Sequence, residues 1–139
     1  MEILQEKNII INCSLTEKMA VVKAMGQLLY ESGYVTEAYI QGMIDKEGTM
    51  NTYLGNDIAI PHGIESVRDQ VLVSGLGIMT FPQGIDWNGQ KVRVVIGIAG
   101  KEEEHIEVLA HIAVTLSEPQ EVDALVASDA KGIHQMLAL

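Results

Sequence analysis

The sequence predicts an α/β domain in which a sheet is layered with helices. Three observations carry that expectation. Segments with helical apolar spacing alternate with strand-like runs along the chain. The later runs, Val71–Phe81 and Val92–Ala99, are apolar at successive positions, as strands covered on both faces are. No internal repeat, low-complexity run or Pro/Ser-rich linker divides the 139 residues, so they read as one domain over residues 1–139.

Ser14 and Glu17 have the spacing of a capping box. Val21, Val22, Met25, Leu28 and Leu29 follow at helical spacing, and Gly33 is a stop signal. A second helix is expected from after Thr36 to about Lys46, with Tyr39, Ile40 and Met43 on one face. Ile58–Ile60 is a short strand that ends in Pro61-His62-Gly63. Ser74, Gly75 and Gly77 interrupt the Val71–Phe81 strand and suggest close approach by another element. Asn88-Gly89 signals a hairpin turn into Val92–Ala99. Glu102, Glu103 and Glu104 lead into a helix over about Glu103–Leu116, where acids suit the positive end of the helix dipole. Ser117 and Pro119 restart a short helix, and a last one holds Ile133, Met136 and Leu137.

The formal net charge is −10, with no Lys/Arg cluster to offset it, which disfavours nucleic-acid binding. Such a surface either steers a basic protein partner or only keeps the chain soluble. The apolar runs fall short of the ~18 residues of a membrane span, and Met1–Asn8 lacks the order of a secretory signal. The lone Cys13 has no partner for an internal disulfide. A cytoplasmic protein is expected.

The sequence has no HExxH, CxxC or EF-hand motif, no P-loop and no GxGxxG; Gly75-Leu76-Gly77 lies in a strand pattern without the third glycine. Neither a metal nor a nucleotide cofactor is expected. Of the 4 histidines, His62 stands out by its setting. Pro61 stiffens the chain before it, and Gly63 permits a turn after it. A strand thus delivers one imidazole to the end of a sheet, where α/β folds place active sites. By the helical repeat, Val108, Leu109, Ile112 and Leu116 fall within about 60° of His105, which puts it on the inward stripe. It is there as a satisfied core histidine or as a group in a cleft beside another histidine. His111 falls on the polar face, and His134 has no distinguishing context; both are expected to be solvated.

Gly55-Asn56-Asp57-Ile58-Ala59-Ile60-Pro61-His62-Gly63 resembles the signature around the phosphorylated histidine of enzyme IIA components. These are the mannitol/fructose class of the bacterial phosphoenolpyruvate-dependent sugar phosphotransferase system. Asp45-Lys46-Glu47 with Thr52-Tyr53-Leu54-Gly55, Gly33-Tyr34-Val35, and Val95-Ile96-Gly97-Ile98-Ala99 before Glu104-His105-Ile106 are similar to the mannitol-type branch in particular. The resemblance runs from about Ile9 to Leu137 and implies a mixed β-sheet flanked by helices.

It also implies roles. His62 matches the histidine that takes a phosphoryl group from the phosphocarrier HPr, which then passes to a cysteine of a IIB component, at times fused to a membrane IIC permease. His105 matches a second active-site histidine held close to the first, and His105 and Lys46 are expected to stabilise the phosphoryl oxygens. Lys46 stands where mannitol-type members usually carry an arginine, exchanging a planar two-pronged donor for a flexible point charge. The resemblance implies no metal or cofactor. The chemistry suits imidazole, which is largely neutral at physiological pH with an ordinary pKa of ~6.5. Phosphoryl transfer asks mainly for positioning and charge stabilisation. The implied function is phosphotransfer during uptake of a sugar alcohol, mannitol by branch resemblance. A regulatory module that binds partners according to its phosphorylation state is the alternative. The chain contains no sugar pocket to read.

Overall fold

A computed structural model describes residues 2–101 and 103–138. Met1 and Glu102, used in the sequence reading, lie outside the described residues. In chain order the elements are β1 (Leu4–Ile10), α1 (Lys18–Glu31), α2 (Ala38–Thr49), β2 (Tyr53–Gly55) and β3 (Ile58–Ala59). A 3-10 helix (Glu65–Gln70) follows, then β4 (Gly75–Trp87), β5 (Gln90–Ala99), α3 (Glu104–Thr115), α4 (Pro119–Val126) and α5 (Ala130–Met136).

The strands form one mixed 5-stranded sheet in the order β1-β4-β5-β3-β2. β1 pairs parallel to β4, β3 pairs parallel to β5, and the β4–β5 and β2–β3 pairs are antiparallel. Side-chain alternation splits the core between the two faces. Met79, Phe81, Val95 and Ala99 pack on Val21, Met25 and Leu29 of α1 and Tyr39 and Met43 of α2. Leu76, Ile78, Val94, Ile96 and Ile98 pack on Val108 and Ile112 of α3, Leu125 of α4 and Ile133 of α5. The expected α/β layering is therefore present, with α1 and α2 on one face and α3–α5 on the other. The interrupting glycines face α1 and the loop after it: a Cβ on Gly77 would meet Met25, and one on Gly75 would meet the Tyr34 ring.

Several local expectations are corrected. The capping box of Ser14 and Glu17 does not form; α1 begins at Lys18, and Glu17 precedes it without a side-chain cap. Cys13 N–H donates to Thr80 O, which ties this segment to β4 before the helix can start. The capping box belongs instead to Glu118 and Glu121, on either side of Pro119 at the head of α4. The strand expected at Val71 starts at Gly75, because Val71 pairs back to Val35 and the N–H groups of Leu72 and Val73 donate to Tyr34 O. It then continues to Trp87 across an irregularity between Thr80 and Ile85. Asn88 and Gly89 both take positive φ (53° and 88°), as a hairpin of that turn type requires. β1 was not anticipated.

Two histidines also differ from expectation. The ring Nε2 of His111 is buried and has no hydrogen-bond partner among the described residues. Three residues after Val108, His111 flanks the buried stripe of α3 rather than opposing it. His134 Nε2 lies 3.0 Å from Leu4 O, so it ties α5 to the edge strand.

Candidate functional site

β3 has only two residues, and neighbours on every side hold it. The turn before it puts Asn56 and Asp57 at positive φ (52° and 64°), which these short polar residues tolerate. Asn56 Nδ2 donates to Leu116 O at the end of α3. Arg93 Nε donates to Asp57 Oδ2 at 2.8 Å, and its Nη2 reaches Asp123 on α4 at the same distance. Beyond β3, Ile60 N–H donates to Thr52 O. Thr52 is fixed in turn by the buried Glu47 carboxylate, which accepts its N–H and hydroxyl and pairs with Lys18 at 3.2 Å.

His62 emerges from this frame. The chain pairs beside Ile98 of β5 in a parallel bridge, with Ile98 N–H donating to Pro61 O. One residue later the pairing is interrupted. Gly63 N–H donates to Tyr39 Oη at 2.9 Å, and that hydroxyl donates to Ile98 O at 3.0 Å. A phenol from α2 thus stands between two backbone groups that would otherwise form the next rung. Gly63 does not have positive φ, so it is not needed for the turn anticipated. Its role is room: a Cβ there would lie 2.5 Å from the Tyr39 ring. Burial, the largest influence, raises the Tyr39 phenol above its ordinary value, which keeps the donating proton in place.

The His62 ring is oriented by its own chain. Nδ1 lies 2.8 Å from Ile60 O. A carbonyl only accepts, so Nδ1 carries the proton in this bond and Nε2 holds the free lone pair.

His62 and His105 line one cavity of about 110 Å³. That is below the ~300–1,000 Å³ of small-molecule pockets, and it suits a small group rather than a sugar. β5 and α3 deliver His105 through Gly100, where a Cβ would lie 2.0 Å from the His105 Cβ. Ile98, Leu109 and Val71 supply apolar wall, while Glu65 and Arg68 of the 3-10 helix supply charge. Lys46 is not on the wall. Its ammonium lies 3.0 Å from Oε1 of the wall residue Glu65, on a side chain only 11% exposed. Sequence reasoning missed Arg68 and the role of Tyr39. Arg68 sits in a short 3-10 helix that leaves no periodic signal, and Tyr39 was read only as part of an apolar face. Among the described residues, no group of three or more His, Cys, Asp or Glu side chains converges to hold a metal ion, and no helix is long and apolar enough to cross a membrane.

A family model described as "Phosphoenolpyruvate-dependent sugar phosphotransferase system, EIIA 2" matches residues 2–139. The mannitol-specific phosphotransferase enzyme IIA component of Staphylococcus aureus is 42% identical over 136 residues, covering 97% of this chain and 94% of that protein. The crystal structure of IIA mannitol from Escherichia coli superposes with a TM-score of 0.88 at 30% identity, covering 96% of this chain and 98% of that one. The structure of E. coli enzyme IIA for mannitol in complex with phosphorylated enzyme IIB gives 0.89 at 29% identity, covering 97% and 98%.

Proposed function

This chain belongs to the EIIA 2 family of the phosphoenolpyruvate-dependent sugar phosphotransferase system, and on that premise we propose that His62 Nε2 is its phosphoryl-accepting atom. The observation that carries this reading is the Nδ1 bond to Ile60 O, which fixes the ring beside His105 with Nε2 as the nucleophile.

The protein is a phosphocarrier. It receives the group from phospho-HPr and passes it to a IIB component during uptake of a sugar alcohol, mannitol by the names of its relatives. The exchange takes place in the cytoplasm. In the first step the Nε2 lone pair of His62 attacks phosphorus, and the P–N bond of the donor phosphohistidine breaks. Its electron pair returns to the donor ring nitrogen. The Nδ1 proton stays on His62, so the ring carries positive charge while phosphorylated, and Ile60 O faces that charge. His105 and Arg68 supply donors for the phosphoryl oxygens, and Lys46 supplies positive charge beside Glu65. The apolar wall limits water at the labile P–N bond. The relatives' names do not favour the regulatory alternative.

The test is mass spectrometry after incubation with enzyme I, HPr and phosphoenolpyruvate. One acid-labile phosphate is expected, absent from His62→Ala. A folded His62→Ala chain that still takes phosphate from phospho-HPr overturns the assignment.

A further inference from the structure

The wall around His62 holds a charge that the reaction itself does not call for. Glu65 lines the same cavity, its side chain 66% exposed at the head of the 3-10 helix. Its own backbone N–H, first, and then the Lys46 side chain hold its carboxyl below the usual carboxylate range, so it is an anion at neutral pH. An anion there opposes arrival of a phosphoryl group, which brings negative charge of its own. Glu65 and His62 line the same cavity of about 110 Å³, so the two charges face a common space. The same carboxylate holds the Lys46 ammonium, on a side chain that is largely buried.

A carrier has a requirement that an ordinary phosphate-binding site lacks. It must surrender the group as readily as it takes it, so its phosphorylated form cannot be much more stable than that of its donor or acceptor. A wall built only of cations would trap the group. We propose that Glu65 sets the phosphorylation equilibrium of His62: it occupies Lys46 in the free chain, and the phosphoryl group displaces it from that cation. The inference rests on the phosphocarrier reading above. Transfer itself is unchanged, with one P–N bond breaking on the donor as one forms at His62 Nε2. Glu65 acts on the standing of the product, through Lys46 and through its own charge, and is a positioning residue rather than a catalytic one.

Both effects have the same sign on removal. Glu65→Gln deletes the opposing charge and releases Lys46 toward the phosphoryl oxygens. Lys46→Met deletes the cation and leaves Glu65 unpaired at the wall. The experiment mixes the full chain with HPr and phospho-HPr at a fixed ratio and reads the phosphorylated fraction of each protein by intact mass at equilibrium. Glu65→Gln is expected to move the equilibrium toward the phosphorylated chain by roughly threefold to tenfold, the size of one charge changed at a partly exposed site. Lys46→Met moves it the other way. In the Lys46→Met background the effect of Glu65→Gln shrinks, because no cation remains to be released. No phosphate on the wild-type chain overturns the phosphocarrier reading and this inference with it. Phosphate on the wild type with an equilibrium unmoved, or moved away from the chain, in Glu65→Gln overturns this inference alone.

Discussion

Tyr39→Phe tests how the His62 loop is held. The substitution keeps the ring that fills the space over Gly63 and removes one oxygen. That oxygen accepts from Gly63 N–H at 2.9 Å and donates to Ile98 O at 3.0 Å. Two hydrogen bonds at ~0.5–1.5 kcal/mol net each give a loss of about 1–3 kcal/mol. The lower end applies if Gly63 N–H swings onto Ile98 O and closes the rung directly. The upper end applies if both groups are left unpaired. A loss of 2 kcal/mol lowers the melting temperature of a chain this size by about 7 °C. The two outcomes differ in function. Closing the rung pulls the chain after His62 toward β5, and a displacement of about 1 Å at a reacting group costs on the order of a hundredfold in rate. Leaving the rung open spares the rate and takes the whole effect as stability. Urea unfolding at unchanged slope gives the first quantity, and quench-flow phosphorylation by phospho-HPr gives the second. A variant with both the wild-type urea midpoint and the wild-type rate refutes the reasoning, since the hydroxyl then holds nothing.

Two further outcomes follow from the same packing. In Gly97→Ala the new Cβ lies 2.0 Å from Met25 Cγ, so α1 or β5 must shift; a loss of about 1–3 kcal/mol is expected in urea unfolding. A variant as stable as the wild type shows that Met25 moves aside freely. The raised Tyr39 phenol makes the fold sensitive to alkali, and the sign is fixed. Below pH 10.0, the phenol's ordinary value, folded and unfolded chains both keep the proton and the contribution is fully present. Above it the unfolded chain loses a proton that the folded chain retains, so stability falls until pH passes the raised value. The urea midpoint measured across that range should fall less steeply in Tyr39→Phe than in the wild type.

The parts of this fold that were legible in the sequence are those where one rule acts alone. Asn88-Gly89 needs positive φ at two successive residues, and little else in the chain asks for that dipeptide. Val94–Ala99 is buried on both faces and carries no polar side chain. His105 followed from helical spacing, and His62 from the stiff Pro61 before it. What was lost is where a tertiary partner overrode local pattern. β1 pairs on one side only and exposes Glu6 and Lys7, so its apolar residues Leu4, Ile9 and Ile10 show no clean alternation. Ser14 and Glu17 have the right spacing for a cap, yet Cys13 is already bound to Thr80. The place of Lys46 could not be read at all, because it depends on Glu65, a residue from another element with no pattern linking the two.

β3 and β5 run parallel, so they leave the sheet over the same rim. His62 continues from one and the helix bearing His105 continues from the other, although the two residues are far apart along the chain. Their meeting is a long-range contact, which forms only after loop closure has been completed. A partly folded chain therefore carries both imidazoles without the cavity that they line together in the folded one. With His62 as the acceptor proposed above, phosphoryl acceptance waits on that contact.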